Sequence, residues 1–149
     1  MFIHTSRFGW IKMDETRIMN FDTGLPGYPS HHRFALVQPS PDPVFFWMQC
    51  VDDPNLAFAV CDPCTFIPDY RVPLRKDDVA ALELADLDDC EVLVIVNRVD
   101  DELTANLLGP IVVGTHSRRA KQVILSDKRY NIRHRLMSLS CPQTVAQTA

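Results

Sequence analysis

The segment VFFWMQCVDDPNLAFAV, residues 44–60, decides the fold. Val44 to Met48 is an almost unbroken apolar run rich in aromatic residues, the pattern of a strand covered on both faces. After Pro54 the pattern changes: Leu56, Phe58 and Val60 alternate with the small Ala57 and Ala59. Side chains on a strand point to opposite faces in turn, so one face carries bulk and the other permits close packing. Two such runs split by Asp52-Asp53-Pro54 read as antiparallel strands with a tight connection.

The same grammar extends outward. Phe34 to Val37 and Val92 to Val96 are further near-continuous runs, and Ile111 to Val113 follows Pro110, where a strand start tolerates the missing N–H. Val123 to Leu125 reads as another short strand. Prolines at 26, 39, 41, 43, 54, 63, 68 and 73 push their preceding residues towards extended or turn geometry and exclude long helices before residue 74. One short helix is expected beyond that point, capped by Asp77 or Asp78 and facing inward with Val79 and Leu82. Roughly eight to ten strands and a helix give a mainly β chain, a small antiparallel barrel-like single domain, with a sandwich as the other architecture. The domain is expected over residues 1–137, and the polar, uncharged tail 138–149 is expected to be mobile.

A chain of 149 residues, 46% hydrophobic and 23% charged, has material for one core. No stretch approaches the ~20 apolar residues of a membrane span, and MFIHTSRFGW lacks the basic and apolar regions of a secretory signal. A cytoplasmic location and no membrane partner are therefore expected. Five cysteines, an odd number, imply no disulfide framework in that setting. Net charge is −4, unevenly spread. Between Asp77 and Glu102 ten acids face the single base Arg98, whereas between Arg118 and Arg135 seven bases face Asp127 alone. Such polarity can steer an oppositely charged partner.

Catalytic and cofactor signatures are thin. Cys61-Asp62-Pro63-Cys64 has the spacing of a zinc or redox pair, yet no second pair of ligands at regular spacing accompanies it. The plainer reading makes Cys61 a small hydrophobe ending a strand and places Cys64 in the next loop. His31 and His32, being adjacent, point apart on an extended chain. No GxSxG, GxGxxG or GxxxxGK[ST] occurs, so neither a nucleophile elbow nor a phosphate cradle is present, and no cofactor is expected. The basic stretch with Tyr130 is the one feature suited to nucleic acid, and the acidic segment opposes it. A nucleic-acid-binding or zinc-binding β-barrel regulator is accordingly the alternative reading.

Five motifs, in order along the chain, carry a resemblance: GLPGY (24–28), FWMQCVDDPNLAF (46–58), DPCTFIPDY (62–70), LTANLLGPIVV (103–113) and KQVIL (121–125), followed by Tyr130. Together they resemble the FliW family over about residues 8 to 135. Met48, Cys50, Gly109 and Tyr28 are mild departures from the family pattern. The resemblance implies a compact β-barrel-like protein, not an enzyme, that binds newly made flagellin in the cytoplasm. It also implies binding and antagonism of CsrA, the carbon storage regulator that represses flagellin translation. Synthesis of flagellin would thereby follow filament assembly. From residue type, Gln49, Asp69, Tyr70, Asn106 and the acidic Asp100, Asp101 and Glu102 are the expected partner-binding positions, Tyr70 as the aromatic anchor. Asn106 has a turn-capping role as its competing reading.

Overall fold

The computed structural model describes residues 1–38, 41 and 44–139. The expected mobile tail lies outside these residues from position 140 onward, while Ser138 belongs to the last strand. The described residues build eleven strands: β1 (Phe2–Thr5), β2 (Gly9–Lys12), β3 (Met19–Phe21), β4 (Arg33–Val37), β5 (Phe45–Cys50), β6 (Ala57–Cys61), β7 (Cys90–Val99), β8 (Glu102–Ala105), β9 (Ile111–Gly114), β10 (Arg119–Gln122) and β11 (His134–Ser138). Among the described residues a single α-helix, α1 (Lys76–Ala81), precedes β7.

The opening motif forms the centre of the sheet. β5 pairs antiparallel with β6, Met48 opposite Phe58, and β4 and β7 flank them. Beyond β4 the order runs β3, β10, β9, and the first half of the ten-residue β7 pairs back with β9. That last pairing closes a barrel, as the sequence pattern predicts. β10 and β3 are parallel, and the other pairs are antiparallel. β8 and β11 extend the sheet from the second half of β7, and β1–β2 is a separate hairpin.

Alternation sorts the core into layers. Phe34, Met48, Cys50, Val60, Leu93 and Ile111 fill the barrel, with Phe58 packed against them. The intervening positions Cys61, Val94 and Val96 turn outward into a second cluster with Tyr70, Ala105 and Leu107. The bulky face of the Leu56–Val60 run thus points inward and its small face meets a close layer, as the residues dictate. Gly24 (φ +69°) and Gly27 (φ +87°) bend GLPGY into a turn that presents Leu25 to the barrel. A Cβ at Gly24 would lie 2.4 Å from the Tyr28 carbonyl oxygen, so this motif is first a packing requirement.

Two local expectations need correction. Val123 to Leu125 is extended but not a ladder strand. Val123 N–H donates to Pro110 O (2.8 Å) and Leu125 N–H to Leu108 O (2.8 Å), but nothing donates in return. Pro110 has no N–H, and that of Leu108 is taken by Asn106 Oδ1 (3.1 Å), so pairing is one-sided. The regular strand falls earlier, at Arg119–Gln122.

The helix cap is also displaced. Arg75 occupies the N-cap position, and Asp78, three residues on, accepts from its backbone N–H (3.0 Å). Asp78 also accepts from Lys121 Nζ at 2.6 Å, which ties α1 to β10. Burial alone would raise the Asp78 carboxyl, but hydrogen bonds from Lys121 and the Arg75 N–H, with both positive charges, hold it below the usual carboxylate range. A depressed carboxylate contributes stability that is present above its unfolded pKa and lost as pH falls through the folded one. Asp78→Ala should therefore cost about 1–3 kcal/mol at neutral pH. In urea unfolding, the gap to wild type should shrink below about pH 4.

Candidate partner-binding face

The motifs first converge on a structural knot. Asp62 caps a 3-10 turn by accepting from Cys64 N–H (2.9 Å), Pro63 sits in its first turn, and Tyr70 N–H bonds back to Ile67 O (3.0 Å). This turns Tyr70 inward. Its hydroxyl donates to Leu107 O (2.6 Å), its ring packs against Tyr130 at 4.9 Å, and only 2% of its surface is exposed. Burial pushes the phenol pKa upward. The third motif, the fourth and the Tyr130 that follows the last meet at this point.

Gln49 is likewise interior, fully buried on β5. Its Nε2 lies 3.1 Å from Cys50 O and Asp53 O, 3.2 Å from Leu56 O and 3.3 Å from Pro54 O, holding the β5–β6 connection in shape. Gln49 and Tyr70, expected to touch partners, are therefore corrected to positions inside the fold. A polar amide and a tyrosine were read as contact residues, but the Gln49 amide nitrogen and the Tyr70 hydroxyl both donate to backbone carbonyls inside the fold.

The remaining expected residues lie at the surface, in two places. Asp100 and Asp101 form the tip of the β7–β8 hairpin, between Val99 and its partner Glu102, with Asp100 at φ 55°. Arg98 braces the tip: its Nε donates to Asp100 O (3.0 Å) and its guanidinium lies 3.7 Å from the Asp101 carboxylate. Glu102 pairs with Arg135 across β8–β11. Asn106 is half-buried, caps the turn through Leu108 N–H, and lines a groove of about 460 Å³ with Ile95, Asn97, Val99, Ile132 and Arg133. Both readings of Asn106 thus coexist in one side chain. Asp69 is exposed, near Arg129, and does not line that groove.

Sequence reasoning missed Val99 and Ile132, which are 38% and 58% exposed beside the acidic tip. Ile132 had a signal: it is a lone aliphatic residue within the basic run RYNIRHR.

The charge polarity of the sequence is partly cancelled by folding. Lys121 pairs with Asp78, Arg119 with Glu83 and Asp22, and Arg135 with Glu102. The basic stretch so loses much of its character as a continuous surface for phosphates. The Cys61 thiol is buried and pushed up to about 12 by desolvation, whereas Cys64 is exposed on the 3-10 turn with its Sγ 3.7 Å from Tyr70 O. Among the described residues no cluster of three His, Cys, Asp or Glu side chains could hold a metal, and no helix is long and apolar enough to cross a membrane.

Comparison with known proteins gives one consistent result. A family model described as FliW protein matches residues 2–136. Flagellar assembly factor FliW of Bdellovibrio bacteriovorus is 37% identical over 135 residues, covering 89% of this chain and 77% of that protein. Flagellar assembly factor FliW of Bacillus subtilis is 34% identical over 143 residues, covering 95% of this chain and all of that protein (100%). A crystal structure of the flagellar assembly factor FliW superposes with a TM-score of 0.84 at 33% identity, covering 95% of this chain and 100% of the other. The closed barrel, the ordered motifs and these matches across nearly the whole length agree: the chain belongs to the FliW family.

Proposed function

We propose that this protein is a cytoplasmic flagellar assembly factor that works by holding partners rather than by catalysis. In this reading it binds flagellin before export, and when export depletes flagellin it binds and antagonises CsrA. Flagellin synthesis is thereby coupled to assembly. The observation that carries the reading is the family match over residues 2–136. The surface offers a compatible face: Asp100 and Asp101 project from the β7–β8 hairpin beside the half-apolar groove at Asn106. An acidic tip suits a partner whose RNA-binding surface is basic, because complementary potentials raise encounter rates and disfavour wrong partners. Asp69 is the more distant candidate.

The test is calorimetric titration with flagellin and, separately, with CsrA from the same organism, at two salt concentrations. Saturable binding of both, with the CsrA arm weakened by salt, is expected. Binding of neither would sink the reading. In the same assay Asp100→Asn with Asp101→Lys should weaken CsrA binding about tenfold at low salt, and the melting temperature should stay unchanged. A drop in melting temperature would instead assign the two aspartates to the turn alone.

A further inference from the structure

A second groove lies away from the hairpin and has about 710 Å³ of space. Its floor is Val92 of β7 and Val112 of β9. One wall is the extended segment Val72-Pro73-Leu74, and the other is Leu87 with Cys90. Leu87 is 62% exposed, a lone leucine within the acidic run Asp86 to Glu91.

Three observations define what fits. First, the lining is mainly aliphatic, so the occupant brings apolar side chains. Second, the lining carries an uncompensated carboxylate, Asp88. It and its chain neighbours Asp86 and Asp89 have no basic partner within ion-pair distance among the described residues, in contrast to Asp78, Glu83 and Glu102 of the same acidic stretch. Arg71, the one base in the lining, is turned to the carbonyls of Tyr70 (2.8 Å) and Pro68 (3.3 Å). Third, among the described residues neither Val72 nor Leu74 exchanges a backbone hydrogen bond with another strand, so the wall offers an open edge to a second extended chain.

We propose that this groove docks an extended segment of another protein in which apolar side chains alternate with lysine or arginine. The apolar positions enter between Leu74 and Leu87, and the basic ones meet Asp88 and the negative field of its chain neighbours Asp86 and Asp89. Pairing along Val72 and Leu74 sets the register. This goes beyond the flagellar reading and does not depend on which protein supplies the segment.

The probe is a labelled ten-residue peptide alternating lysine with valine, compared with a glutamate–valine and a lysine–serine counterpart. The lysine–valine peptide should bind at least about tenfold more tightly than either, with affinity falling as salt rises. Leu87→Ser, and separately Asp88→Lys, should each weaken it about five- to tenfold; both residues are exposed, so folding is retained. Cys64 and Cys90 line the groove, so saturating peptide should slow their alkylation by iodoacetamide, read by peptide mapping. Equal binding of the glutamate–valine or lysine–serine peptide, or alkylation rates unchanged at saturation, overturns the proposal. So does a concentration-dependent dimer in light scattering that Leu87→Ser dissolves, which makes the occupant a second copy of this chain. Loss of flagellin and CsrA binding in the titrations above leaves this outcome untouched, and the converse also holds.

Discussion

Tyr70→Ala is expected to be among the most destabilising single substitutions in this protein, about 3–5 kcal/mol in urea unfolding. The ring is buried against Tyr130, Val94, Val96 and Leu107, so its removal leaves a cavity between the barrel and the 62–72 segment. Small domains are stable by only about 5–15 kcal/mol, so the variant should lose much of its native population. Tyr70→Phe isolates the hydroxyl. It keeps the packing but leaves Leu107 O, a buried acceptor, without its 2.6 Å donor, at a cost of about 1–3 kcal/mol. The midpoint should shift with the slope unchanged. If Tyr70→Phe left unfolding intact yet abolished partner binding, Tyr70 would be a contact exposed by local opening.

Tyr70 also shows where sequence reasoning reached its limit. Its motif was legible, and aromatic side chains do anchor interfaces, but composition cannot tell an anchor in a partner's pocket from one in the protein's own. The distinction came from the 3-10 turn at Pro63–Thr65, which rotates the chain so that the tyrosine meets Leu107, 37 residues away. The barrel was more legible because alternation is local: Phe58 and Val60 inside, Ala59 and Cys61 outside, follows from a period of two.

Strands of low apolar content were harder to see. Arg119–Gln122 (RAKQ) is a barrel strand with one apolar side chain, Ala120, pointing inward, and its pairing to β3 and β9 supplies what propensity does not. Surface charge was misleading in the opposite sense. The linear blocks of acid and base suggested two separate faces, whereas β10 and β11 carry bases to within ion-pair distance of Asp78, Glu83 and Glu102. Among the described residues Asp100 at the hairpin tip and Asp86, Asp88 and Asp89 beside the groove have no ion-pair partner, and the two proposals of partner chemistry draw on these places.

Gln49 supplies the second large effect, and its replacement by glutamate makes the size of that effect depend on pH. Its amide N–H groups face the carbonyls of Cys50, Asp53, Pro54 and Leu56, so Gln49→Ala removes both buried donors and side-chain volume, for a loss of about 3 kcal/mol. The turn it holds also anchors the β1–β2 hairpin, through Ser6 N–H to Pro54 O at 2.9 Å. Gln49→Glu is the sharper experiment. Ionised, the carboxylate would confront a ring of carbonyl oxygens in a site from which water is excluded, so its folded pKa must rise well above the ~4.3 of an exposed glutamate. With the folded pKa raised, the stability associated with the protonated form is fully present below the unfolded pKa and is lost as pH rises towards the folded one. The stability gap between Gln49→Glu and wild type, measured in urea at each pH, should widen by about 1.4 kcal/mol per unit above about pH 4.3. It should level off only when the buried carboxyl ionises or the turn opens to let it reach water. Gln49→Ala should show no such trend, because it introduces no titrating group. A gap for Gln49→Glu that is constant from pH 5 to pH 7 would mean that position 49 faces solvent, and would return Gln49 to the partner-binding surface.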